Sequence, residues 1–108
     1  MTIDDIQIKI FLARAKSATE AYVTLIFPIE IDGTNVAMKV GNFRIMTSHY
    51  GNKGLKVLPP AIKSTDGKYR KVFFLMNEET WFKLEQKILE KYEQVLRTGE
   101  FSEPEIES

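Results

Sequence analysis

From Ala21 to Ile31 the residues Ala21, Val23, Leu25, Phe27, Ile29 and Ile31 are apolar at every second position. Only an extended strand turns a period of two into one buried face, so this stretch predicts a long strand. Tyr22, Thr24 and Ile26 fall on its other face. Asp32-Gly33, followed by Thr34 and Asn35, is a turn signal that folds Val36 to Thr47 back as a further strand. Pro28 removes a ladder donor and predicts a sheet edge or an interruption there, and Gly41 points to a bulge. Ahead of this hairpin, Ile6, Ile8, Ile10 and Leu12 alternate with Gln7, Lys9 and Phe11 and predict a first strand, with Arg14 to Glu20 as a connection.

Beyond the hairpin, Ser48 to Gly54 carries turn pairs and leads into the apolar run Leu55 to Leu58, which Pro59-Pro60 ends. A polar loop from Ala61 to Lys68 holds Asp66-Gly67, and Tyr69 to Met76 reads as another strand, with Val72, Phe74 and Met76 on one face and Phe73 and Leu75 on the other. Asn77 is a candidate N-cap with Glu78 and Glu79 in the first turn, an amphipathic helix runs to about Arg97, and Gly99 supplies the C′ position. The expected fold is α+β: an antiparallel meander of about five strands with one C-terminal helix, in a single domain over residues 1–98. Residues 99–108, with four glutamates around Pro104, read as a disordered acidic tail. One helix covers one face of such a sheet, so a second copy is expected to cover more of it.

A chain of 108 residues with 44% apolar content sustains one core without staples. The absence of Cys excludes thiol catalysis, zinc ribbons and a disulfide framework. No apolar run approaches the roughly 20 residues of a membrane span, and Asp4 and Asp5 leave no basic leader, so the expectation is a soluble, cytoplasmic protein without membrane partners. Fifteen basic and fifteen acidic groups cancel. They are not evenly spread: residues 1–38 carry −2, residues 39–72 carry +7 and residues 73–108 carry −5. The central third is where a polyanion would be met, because local fields outlast net charge beyond a Debye length of about 8–10 Å.

Enzymatic readings find little support. His49 is the only imidazole, and no nucleophile elbow, phosphate loop, dinucleotide fingerprint or metal-ligand spacing occurs. No catalytic residue, cofactor, metal or small-molecule substrate is therefore expected. Asp66 reads as a turn residue. On the helix, Trp81, Leu84, Ile88, Tyr92 and Val95 form one stripe, broadened by Phe82, Leu89 and Leu96, and Trp81 reads as core. Lys83, Lys87 and Lys91 recur four apart as a basic ridge, with Glu79, Glu90 and Glu93 toward the other flank. Lys63, Lys68, Arg70 and Lys71 surround the Asp66-Gly67 turn, and Arg44, Lys53 and Lys56 precede them. If these loops converge on one edge, they make the footprint of phosphate binding. Tyr50 and Tyr69 interleave with the cations and offer stacking surfaces for unpaired bases.

The order FRIM, a Gly/Asn turn, GLKVLPP, Lys63, TDGKYR, an apolar strand and a helix ending near KYEQVL resembles the stage V sporulation protein G (SpoVG) family. Met1 to Ile10 and AYVTLIF resemble its first two strands more loosely, and the resemblance covers roughly residues 1–97. It implies a small dimeric protein with a twisted antiparallel sheet and a C-terminal helix, which binds DNA and often RNA, acts in transcription regulation and has no enzymatic activity. The family's basic positions carry over onto Lys63 and Arg70, and the helix is the element expected to tune sequence preference. Ala61 and Ile62 stand where the family usually has further Arg and Lys, and the segment Ala13 to Glu20 and the acidic tail also depart from it.

Two alternatives remain beside a nucleic-acid-binding regulator of this kind. MNEETWFKLEQKI resembles the strand-to-helix segment of PC4-like coactivators, which bind single-stranded DNA. A protein-interaction module would instead use an exposed sheet edge or apolar face, its cations serving solubility alone.

Overall fold

A computed structural model describes residues 1–13, 19–47, 54–73 and 75–103. The strands are β1 (Gln7–Leu12), β2 (Thr19–Ile31), β3 (Thr34–Thr47), β4 (Leu55–Leu58), β5 (Ala61–Lys63) and β6 (Tyr69–Lys71), followed by the helix α1 (Glu78–Thr98). β1 to β4 form one antiparallel sheet in sequence order, and β5 and β6 pair as a separate two-stranded ribbon. The α+β class and the helical C-terminus therefore stand, while the expected five-strand meander resolves into a four-stranded sheet plus a ribbon. Among the described residues no helix is long and apolar enough to cross a membrane.

The alternation in β2 is used as expected. Ala21, Val23, Leu25 and Phe27 are buried and face Ile10 of β1, Phe43 and Ile45 of β3 and Val57 of β4 in one core. β2 and β3 make a long hairpin whose register shifts twice, first between Thr19↔Met46 and Ala21↔Ile45, and again where Gly41 and Asn42 stand opposite Thr24 between the pairs Val23↔Phe43 and Leu25↔Val40. The second shift is the bulge anticipated at Gly41. Asn42 takes a positive φ of 64°, and one extra residue switches the core-facing set of β3 from Val36, Met38 and Val40 to Phe43 and Ile45. Pro28 does not interrupt β2, because pairing with β1 stops at Gln7↔Ile26 and leaves that side of the strand open. The hairpin thus runs past β1 and β4 as a two-stranded arm.

α1 lays Leu84, Ile88, Tyr92 and Val95 on the core face of the sheet. Its ends follow the sequence: the Asn77 side chain accepts the Thr80 N–H at 2.9 Å, and Gly99 closes the helix in the left-handed region at φ 74°. Trp81 stacks on Phe43 with centroids 6.3 Å apart, a core role. Phe82 and Leu96, read as part of the apolar stripe, are exposed instead. The strand expected from Tyr69 to Met76 ends at Lys71. There the Val72 N–H turns back to the Pro60 carbonyl at 2.9 Å, and Phe73 and Leu75 leave the ladder to pack on the core, Phe73 lying 5.1 Å from Phe43 and 6.1 Å from Phe27 between centroids. Burying an aromatic ring is worth more than one ladder bond, so the segment follows its side chains. Past the helix, Phe101 packs against the core and the Ser102 N–H donates to the Ile10 carbonyl on the free edge of β1 at 2.8 Å. The chain is thus held to the domain through residue 102, and residues 104–108 of the expected tail lie outside the described residues.

Candidate nucleic-acid interface

The β5–β6 ribbon carries the densest positive charge, with Lys63, Lys68, Arg70 and Lys71 against Asp66 alone. Its turn is pinned by that carboxylate. Asp66 accepts the Ser64 hydroxyl and the Lys68 N–H, the latter at 3.1 Å, while the Ser64 N–H donates to the Lys68 carbonyl at 2.8 Å and Gly67 sits at φ 83°. The Ser64 hydroxyl, then the Lys68 N–H, hold the Asp66 carboxyl below the usual carboxylate range, so it stays ionised and occupied with the turn. The turn role read for Asp66 is thus the one it has.

Register decides which cations share a face. Lys63 stands opposite Tyr69 and Ala61 opposite Lys71, which places Lys63, Tyr69 and Lys71 on one side of the ribbon. Ile62 stands opposite Arg70, so Arg70 is on the other side. All of these side chains except Ala61 are exposed, Tyr69 by 69%. A two-stranded ribbon with cations on both faces can meet phosphates on both sides at once.

The other candidates are not gathered there. Arg44 and Lys56 lie on the face of the sheet opposite the helix, Arg44 half-buried in β3 beside Leu58 and Lys56 exposed in β4 beside Met46. Of the helical lysines, Lys83 is exposed, and Lys87 and Lys91 stand by the opposite edge of the sheet from β4: Lys87 is ion-paired with Asp4, and both line a groove between α1 and β1. Glu90 and Glu93 line the same groove, so the ridge of Lys83, Lys87 and Lys91 is not segregated from acidic residues as its spacing suggested. Glu85 reaches the other way and accepts the Val57 N–H on the free edge of β4 at 3.1 Å. Of the cations whose convergence on one edge was expected, the ribbon gathers Lys63, Lys68, Arg70 and Lys71, while Arg44 and Lys56 lie on the sheet face. Lys53, Tyr50 and His49 lie outside the described residues.

Sequence reasoning passed over the residues facing out from β1 and β2, among them Lys9, Phe11 and Tyr22. The signal was available, since each sits between core-facing neighbours in an alternating stretch.

Fold and site together define a small α+β protein with one helix packed on a four-stranded antiparallel sheet and a cationic two-stranded ribbon at its β4 end. No protein-family model matches the chain. A curated protein of Lachnospira eligens named "Putative septation protein SpoVG" is 32% identical to it over 93 residues, covering 86% of this chain and 92% of the relative. The chain belongs to the SpoVG family.

Proposed function

We propose that this chain is a non-enzymatic, cytoplasmic nucleic-acid-binding regulator that works as a homodimer and grips the phosphate backbone with its β5–β6 ribbon. The observation that carries this reading is the pinned turn. It spends the one carboxylate of the ribbon on backbone and hydroxyl donors and leaves Lys63, Lys71 and Arg70 exposed on a narrow element with Tyr69 among them. A two-stranded ribbon is narrow enough for the major groove of DNA, and cations on both of its sides face both phosphate walls. Membership in the SpoVG family supports the same reading. For the dimer, support comes from the core-facing side of the β2–β3 arm, where the apolar strip continues through Ile31, Val36 and Met38, all exposed. A second copy laid there would bury that strip.

The test is a mobility-shift series with duplex DNA, single-stranded DNA and RNA over a range of salt. Each phosphate contact contributes about −0.9 to the slope of log affinity against log salt for duplex DNA and about −0.7 for single strands. Lys63→Ala, Arg70→Ala and Lys71→Ala are each expected to reduce the slope by about one contact. Absence of binding to all three nucleic acids at low salt overturns the proposal, and a monomer at every concentration in sedimentation overturns its dimer part.

A further inference from the structure

The face of the sheet turned away from the helix carries a row of four residues set side by side by the strand register. Phe11 of β1 pairs with Tyr22 of β2, Tyr22 with Arg44 of β3, and Arg44 with Leu58 of β4. Directly paired residues of antiparallel strands project to the same side, so two aromatic rings, a guanidinium and an apolar side chain stand in line across the whole sheet, over about 14 Å at the usual strand spacing. Tyr22 is 43% exposed, and Phe11, Arg44 and Leu58 are half-buried. Lys9 and Lys39 belong to the same face on one side of the row, and Lys56, exposed, on the other. Among the described strand residues that face out over the part of the sheet where β2 is paired on both sides, none is a carboxylate.

We infer that this outer face is a stacking platform for single-stranded nucleic acid, with Phe11 and Tyr22 under unpaired bases and Arg44 and Lys56 holding the phosphates between them. The inference rests on the nucleic-acid reading above and adds to it a second surface and a strand state. Each component has a physical reason. An aromatic face stacks on any base, and a guanidinium plane can both stack and pair with a phosphate. In a duplex the base faces are already stacked on each other, so a flat sheet face can reach them only in an unpaired strand. A second copy is a poor occupant, because an isologous contact would press this face against itself, and over this part of the sheet its described strand residues carry cations with no carboxylate to pair with them. The β4 end of the row leads through Pro59 and Pro60 into the cationic ribbon, so a strand crossing the sheet would continue onto it.

Fluorescence anisotropy of labelled oligo(dT), oligo(rU) and a duplex of equal length tests this on the full chain. Tyr22→Ala and Phe11→Ala are each expected to weaken single-strand binding by about tenfold or more, with duplex binding kept within about twofold and Tyr22→Phe close to the parent. On the unmutated protein, photocrosslinking with a 4-thiothymidine oligonucleotide is expected to label the peptides holding Phe11 and Tyr22, a readout that holds even where an alanine variant fails to fold. Single-strand affinity unchanged in both alanine variants, or crosslinks confined to the ribbon, overturns the platform while leaving the ribbon reading in place. Absence of all nucleic-acid binding by the parent protein overturns both. Loss of self-association in Tyr22→Ala would assign the face to a second copy and overturn the platform alone.

Discussion

The two faces of the same sheet are built by the same strands and do opposite things. On the inner face Val23, Leu25, Phe43 and Ile45 are completely buried under α1, and their identity is dictated by fit. On the outer face their immediate neighbours Tyr22, Arg44 and Met46 meet solvent, and fit constrains them little. The difference is preserved by the Gly41-Asn42 bulge. Without the extra residue, a strand that places Phe43 and Ile45 inward would place Val36, Met38 and Val40 outward. One backbone irregularity therefore keeps an apolar inner face and a cationic, aromatic outer face separate along fourteen residues of β3.

The comparison breaks if both faces respond alike to truncation. Phe43→Ala removes a fully buried ring that also contacts Phe73 and Trp81, and is expected to destabilise the fold by about 3–5 kcal/mol in urea unfolding. Tyr22→Ala on the opposite face is expected to cost less than about 1 kcal/mol in the same measurement. The bulge itself comes next. Asn42→Val forces a β-branched residue into the left-handed region and is expected to cost about 1–2 kcal/mol, whereas Asn42→Gly leaves stability near the parent value. Equal losses in the two variants would show that the side chain of Asn42, and not its backbone angle, holds the register. Asn77→Ala, which removes the cap of the helix that covers only the inner face, is expected to cost about 1 kcal/mol and to leave oligonucleotide binding on the outer face unchanged.

What the sequence made legible follows the range of the interaction concerned. Asn77 and Gly99 were readable as helix ends because caps act over three or four residues, and the inward positions of β2 were readable because alternation is local. The bulge left a trace in the step from Val40 to Phe43, where the apolar period shifts by one. The end of β6 was hidden, because Phe73 chooses between a ladder and the distant rings of Phe27 and Phe43. The grouping of the cations was hidden for the same reason. The spacing of Lys63, Arg70 and Lys71 is fixed by sequence, but which of them share a side is fixed by the pairing Lys63↔Tyr69. Likewise Lys87 meets Asp4 from 83 residues away, and no local pattern could have removed it from an open ridge.

The smallest effect concerns Tyr92, which α1 buries against the inner face. Burial first, and then the negative charge of Glu20, push its hydroxyl above the ordinary value of 10.0. A raised value in the folded state means that the unfolded chain loses this proton first as pH rises. The folded state therefore keeps the full contribution of Tyr92 below about pH 10 and loses it as pH climbs through the higher folded value. Urea unfolding of the parent protein is expected to show stability falling above about pH 10, and Tyr92→Phe, which has no proton to lose, is expected to flatten that fall. Glu20→Gln should reduce it in part, leaving the larger share that comes from burial. An unchanged alkaline slope in Tyr92→Phe would mean that the hydroxyl reaches water in the folded protein and that the helix covers the inner face less completely than its packing indicates.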